Sequence, residues 1–76
     1  MVNKTSEYTR VNTMPILQVN LLEGRSDEQK EALIEELTAA CVKALNAPKE
    51  SVRVMLNEMP KQNFGIGGHS AKKLGK

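Results

Sequence analysis

The sequence predicts an α+β fold: a β-α-β unit with parallel strands followed by a short C-terminal hairpin, in an obligate oligomer. Three observations predict it. Two short apolar runs, Ile16–Leu22 and 51–57, alternate at period two. The stretch between them carries a helix-start signal and an apolar stripe at helical spacing. Finally, at 76 residues the chain buries too little apolar surface to be comfortably stable alone.

The first run, ILQVNLL, is interrupted by Gln18 and Asn20, so it reads as a strand with one face buried more deeply. Glu23-Gly24-Arg25 turns the chain. Ser26 followed three residues later by Gln29 is a capping-box pattern, and Asp27 and Glu28 place negative charge where the helix dipole favours it. Leu33, Leu37, Ala40, Cys41, Ala44 and Leu45 then form the apolar stripe, and Pro48 limits the helix near Asn46. In SVRVMLN, Val52, Val54 and Leu56 share one face and Arg53 and Met55 the other. A strand, helix and strand joined by short loops imply a right-handed crossover and parallel strands. Residues 59–68 hold Pro60, Gly65, Gly67 and Gly68, which suits a loop or short hairpin able to pair with a neighbour's open sheet edge.

Composition excludes several classes. One cysteine and one histidine supply neither a disulfide nor a tetrahedral metal site, which leaves self-association to stabilise so small a domain. A net charge of +2, with Tyr8 and Phe64 the only aromatics, argues against a nucleic-acid binder. Lys72, Lys73 and Lys76 read as a solvated tail. No stretch has transmembrane length, residues 1–13 lack the apolar core of a secretory signal, and the unpaired cysteine suits the cytoplasm.

Pro15 is the first candidate for chemistry. At the start of a mature chain, after removal of Met14, it would be a secondary amine with an unperturbed pKa of roughly 7.7 to 8.0, usable as a neutral base. As an internal residue it is a tertiary amide without a basic nitrogen, and then simply opens an edge strand. Arg25 and Arg53 could bind carboxylates through their forked guanidinium groups, or else Arg25 pairs with Glu23 or Asp27 and Arg53 is an exposed strand residue. Phe64 could wall a cleft or plug an oligomer contact. Cys41 on the apolar stripe reads as a buried thiol, and His69 as a surface residue.

These residues stand in a recognisable arrangement. The segments PILQV at 15–19, LEGRSDEQK at 22–30, Ala47-Pro48, SVRV at 51–54 and FGIGG at 64–68 resemble 4-oxalocrotonate tautomerase, in order and spacing, over essentially all of 15–76. The resemblance implies a trimer of dimers with active sites built from neighbouring chains, and no metal or organic cofactor. It implies a keto–enol isomerase acting on a small dicarboxylate such as 2-hydroxymuconate. By position, Pro15 is the base, Arg25 binds the far carboxylate, and Arg53 of an adjacent subunit binds the 2-oxygen and near carboxylate. Phe64 is the apolar wall, and Leu22 and Ser51 lie near the substrate. Residues 1–14 are then an extension or a mis-assigned start, disordered in or absent from the mature chain, and 15–76 the tautomerase domain. The thirteen residues before Met14 have no place in the family, and His69-Ser70 departs from the pair expected after GIGG. Two rivals stay open. One is a related activity, phenylpyruvate tautomerisation or haloacrylate dehalogenation with Glu23 or Glu58 activating water; the other is a non-catalytic binding module if Pro15 is internal.

Overall fold

A computed structural model describes residues 14–76. The expectation for residues 1–13 lies outside the described residues. Strand β1 (Ile16–Leu22) leads into helix α1 (Asp27–Leu45), a 3₁₀ turn at Lys49–Ser51 and strand β2 (Arg53–Met59). A second 3₁₀ turn, Lys61–Asn63, precedes a hairpin of β3 (Gly65–Ile66) and β4 (His69–Ser70).

The helix begins where the sequence places it, because both arms of the capping box form. Ser26 Oγ accepts from the Gln29 amide at 3.1 Å, and Gln29 Oε1 accepts from the Ser26 amide at 3.0 Å. Its end is set by Asn46 in the left-handed region (φ 56°, ψ 38°), a conformation asparagine tolerates, with Pro48 two residues on. Replacing Ser26 by Ala is expected to cost about 1 kcal/mol. That should lower the urea midpoint at fixed protein concentration, and an unchanged midpoint would show the cap to be dispensable.

Strands β1 and β2 pair in parallel, with Ile16 opposite Arg53 and Leu22 opposite Met59. Leu17, Val19, Leu21, Val54 and Leu56 are half-buried on the face that α1 covers. The helix is pinned there by Lys30, whose Nζ lies 3.0 Å from Glu58 Oε1 and 3.6 Å from Asp27 Oδ1. The hydrogen bond to Glu58 raises the Lys30 pKa above its ordinary value, outweighing the opposing effect of desolvation. Gly67 and Gly68, at φ 58° and 91°, form the two-residue turn of the hairpin, where two successive positive φ values call for glycine.

Two details differ from the sequence expectation. The side of α1 that is half-buried consists of Lys30, Leu33, Ile34, Leu37, Thr38, Cys41 and Val42, whereas Ala40, Ala44 and Leu45 are exposed. And β2 runs Arg53–Met59 rather than 51–57: 49–51 bond locally as a 3₁₀ turn, and pairing with β1 continues through Met59 opposite Leu22.

The larger finding is what this protomer fails to bury. Among the described residues only Ala47 and Ala71 are buried, while Ile16 is 61% exposed. The uncovered face of the sheet carries Ile16, Gln18 and Asn20 beside Arg53, Met55 and Asn57, all exposed.

Candidate active site

Pro15 sits at the entrance of β1, half-buried, and its carbonyl accepts the backbone N–H of Arg53 at 2.9 Å. This bond extends the parallel ladder by one step and fixes the start of β2 against the candidate base. The Arg53 side chain leaves on the open face of the sheet, and its Nη1 donates to the Glu50 carbonyl at 2.8 Å. A carbonyl orients the guanidinium without neutralising it, so the positive charge stays available. Ser51 lies in the adjacent turn, where its hydroxyl donates to the Pro48 carbonyl at 2.8 Å.

The other candidates gather at the far end of the sheet. Leu22 and Phe64 line a cleft of about 110 Å³ with Asn20, Leu21 and Met59. Arg25 is exposed on the loop that follows, after Gly24 at φ 125°. Neither carboxylate beside it in sequence is its partner. Glu23 Oε2 accepts the Lys61 amide at 3.1 Å, and Asp27 lies against Lys30. Among the described residues Arg25 has no ion-pair partner. The same contacts engage Glu23 and Glu58, the two acids that could have activated water, with a backbone amide and with Lys30 respectively.

Seven strand residues at about 3.3 Å each separate these two clusters by about 20 Å. One protomer therefore groups Pro15, Ser51 and Arg53 at one end, and Leu22, Arg25 and Phe64 at the other. It does not bring all six together. A larger open groove of about 610 Å³ runs along α1 past Ile34, Thr38, Val42 and Lys49, and none of the six lines it.

The family model described as "Tautomerase enzyme" matches residues 15–74, from the candidate base through the hairpin. The chain belongs to the tautomerase family. It is 60% identical over 63 residues to a 2-hydroxymuconate tautomerase of Stutzerimonas stutzeri, covering 83% of this chain and all of that relative. A 2-hydroxymuconate tautomerase of Comamonas testosteroni is 54% identical over the same length, again covering 83% of this chain and all of that relative. Among solved structures, a chain of the 4-oxalocrotonate tautomerase isozymes from Methylibium petroleiphilum superposes with a TM-score of 0.77 at 55% identity, covering 82% of this chain and all of that one. A heterohexamer 4-oxalocrotonate tautomerase from Chloroflexus aurantiacus gives 0.75 at 39% identity, covering 80% and 98%. The β-α-β unit and hairpin expected from the sequence are thus the tautomerase fold.

Sequence reasoning missed two features of this tautomerase. Met59 joins the Leu22–Phe64 cleft, a placement that follows once the parallel register sets it opposite Leu22. The Glu50 carbonyl holds Arg53, and a main-chain acceptor leaves no trace in residue identity.

Proposed function

We propose that this chain, beginning its mature form at Pro15, is a homo-oligomeric keto–enol tautomerase of small conjugated 2-hydroxy dicarboxylates such as 2-hydroxymuconate. The observation that carries this reading is the division of the candidate residues between two ends of one short sheet. Neither end alone holds a base, a cation for each carboxylate and an apolar wall. Neighbouring copies set around one Pro15, one presenting its far end and another its Arg53, would together supply all of them.

In such a site the Pro15 nitrogen takes the proton from the 2-hydroxyl of the dienol. The electron pair moves through the conjugated system, and the proton returns to a distant carbon, leaving a conjugated 2-oxo acid. Arg53 from an adjacent copy stabilises negative charge developing on the 2-oxygen and grips the near carboxylate. Arg25, without an acidic partner among the described residues, takes the far carboxylate. Phe64 and Leu22 exclude water and lower the amine's pKa.

The start at Pro15 is supported by the family match opening at that residue. Assembly is supported by the near absence of buried side chains among the described residues and by the exposed apolar residues of the sheet; a hexamer arranged as a trimer of dimers is the form the family resemblance implies. The unpaired Cys41 suits a reducing compartment, the cytoplasm. No helix among the described residues is long and apolar enough to cross a membrane.

The reading is tested by assaying the chain that begins at Pro15 on 2-hydroxymuconate and on 3-chloroacrylate. Ketonisation should dominate, and dehalogenation in excess of it would overturn the assignment. Arg25→Gln should raise KM for the dicarboxylate by about ten- to hundredfold, the worth of a charged hydrogen-bonded contact. An equal loss on a monocarboxylate enol would contradict its role.

A further inference from the structure

We propose that Ser51 is a positioning residue for Arg53 rather than a ligand of the substrate; the proposal rests on the reading of Arg53 as the cation facing the 2-oxygen. Serine has two donors, its amide and its hydroxyl, and both point at the same acceptor. The Ser51 amide lies 3.0 Å and the hydroxyl 2.8 Å from the Pro48 carbonyl. A substrate carboxylate only accepts hydrogen bonds, so Ser51 has no donor left to offer it.

What the hydroxyl does instead is double the bond that closes the Lys49–Ser51 turn. The turn's other closure, from the Val52 amide to the Lys49 carbonyl, is a long 3.2 Å. Within that turn the Glu50 carbonyl faces outward and accepts from Arg53 Nη1 at 2.8 Å. Arg53 is thereby held at two points. Its amide is tied to Pro15, and its guanidinium to a turn that Ser51 braces. One of five guanidinium N–H donors is spent on a neutral carbonyl, which leaves the remaining donors and the whole charge for the substrate. Loosening the turn would leave the cation present but poorly aimed, a defect felt where charge develops and little in ground-state binding.

A kinetic double-mutant cycle on the chain beginning at Pro15, with 2-hydroxymuconate as substrate, tests this. S51A should lower kcat about five- to tenfold, with KM changed less than about twofold. S51T, which keeps a hydroxyl able to reach the same carbonyl, should restore kcat to within about twofold of the parent. In an R53Q background, S51A should change kcat by less than about twofold, because the group it aims is gone. A rise in KM at constant kcat would make Ser51 a substrate ligand and overturn the proposal. So would an equal kcat loss with and without Arg53, or no effect of S51A at all. Should R53Q alone keep full kcat, the reading of Arg53 itself fails, and the role of Ser51 with it.

Discussion

A chain that keeps residues 1–14 ahead of Pro15 is expected to turn over 2-hydroxymuconate about 10²- to 10⁴-fold more slowly than one beginning at Pro15, the range typical of losing a positioned general base. The cause is one covalent bond. Acylation converts the proline nitrogen from a secondary amine, protonating near roughly pH 7.7 to 8.0, into a tertiary amide that holds no proton. The rest of the design should survive, since Pro15 takes part in the sheet through its carbonyl, which either form possesses. The comparison is therefore made between two proteins of the same oligomeric state, with kcat/KM as the readout and light scattering as the control. Equal activity in the two forms would mean that Pro15 nitrogen is not the base, and a non-catalytic or differently catalysed reading would take its place.

The second large effect belongs to Arg53. Arg53→Gln should reduce kcat by about 10²- to 10³-fold, as removal of a preorganised charge-stabilising donor does in other proton-transfer and acyl-transfer sites. Glutamine keeps a donor but loses the charge, so the loss should fall mainly on kcat and less on KM. Arg53→Lys should not rescue fully. An ammonium is a point charge on a flexible stem, and it cannot donate to the Glu50 carbonyl and grip a carboxylate with the same planar fork. Steady-state kinetics on the three proteins decides the matter; a loss confined to KM would reduce Arg53 to a simple anion-binding group. This pattern differs from the one expected for Arg25, which acts at a carboxylate distant from the developing charge.

Much of the fold was legible because local signals agreed with one another. Ser26, Gln29 and the acids after the cap mark the helix start, and Asn46 with Pro48 marks its end. The alternation in ILQVNLL carries straight into the observed half-buried face. The boundary of β2 was less legible, because Ser51-Val52-Arg53-Val54 alternates like a strand while the Ser51 hydroxyl competes for a local carbonyl and keeps 49–51 in a turn. The orientation of α1 was only partly legible. Apolar residues lie on more than one of its faces, and a sequence does not say which face meets the protomer's own sheet and which is left bare.

The site divides in the same way. Spacing and residue type pick out Pro15 and the two arginines, but they also allow Arg25 to pair with Glu23 or Asp27, and only the observed contacts assign those acids elsewhere. That Leu22 and Phe64 share a cleft depends on how the segment after β2 is tied to the end of β1, through the Glu23 amide to the Met59 carbonyl at 3.0 Å and the Lys61 amide to Glu23 Oε2 at 3.1 Å. Such long-range closure leaves no periodic mark in the chain.

The central claim is that the Pro15 nitrogen is a free amine and the catalytic base. Its most direct test is a pH titration of the ¹⁵N signal of Pro15 in protein labelled with ¹⁵N-proline, alongside kcat/KM over the same range. The expected result is a single transition below roughly pH 8, the ordinary range of a chain-terminal amine, coinciding with the rising limb of kcat/KM. A Pro15 signal that does not move with pH, or one that moves while activity rises through a different pKa, would contradict it.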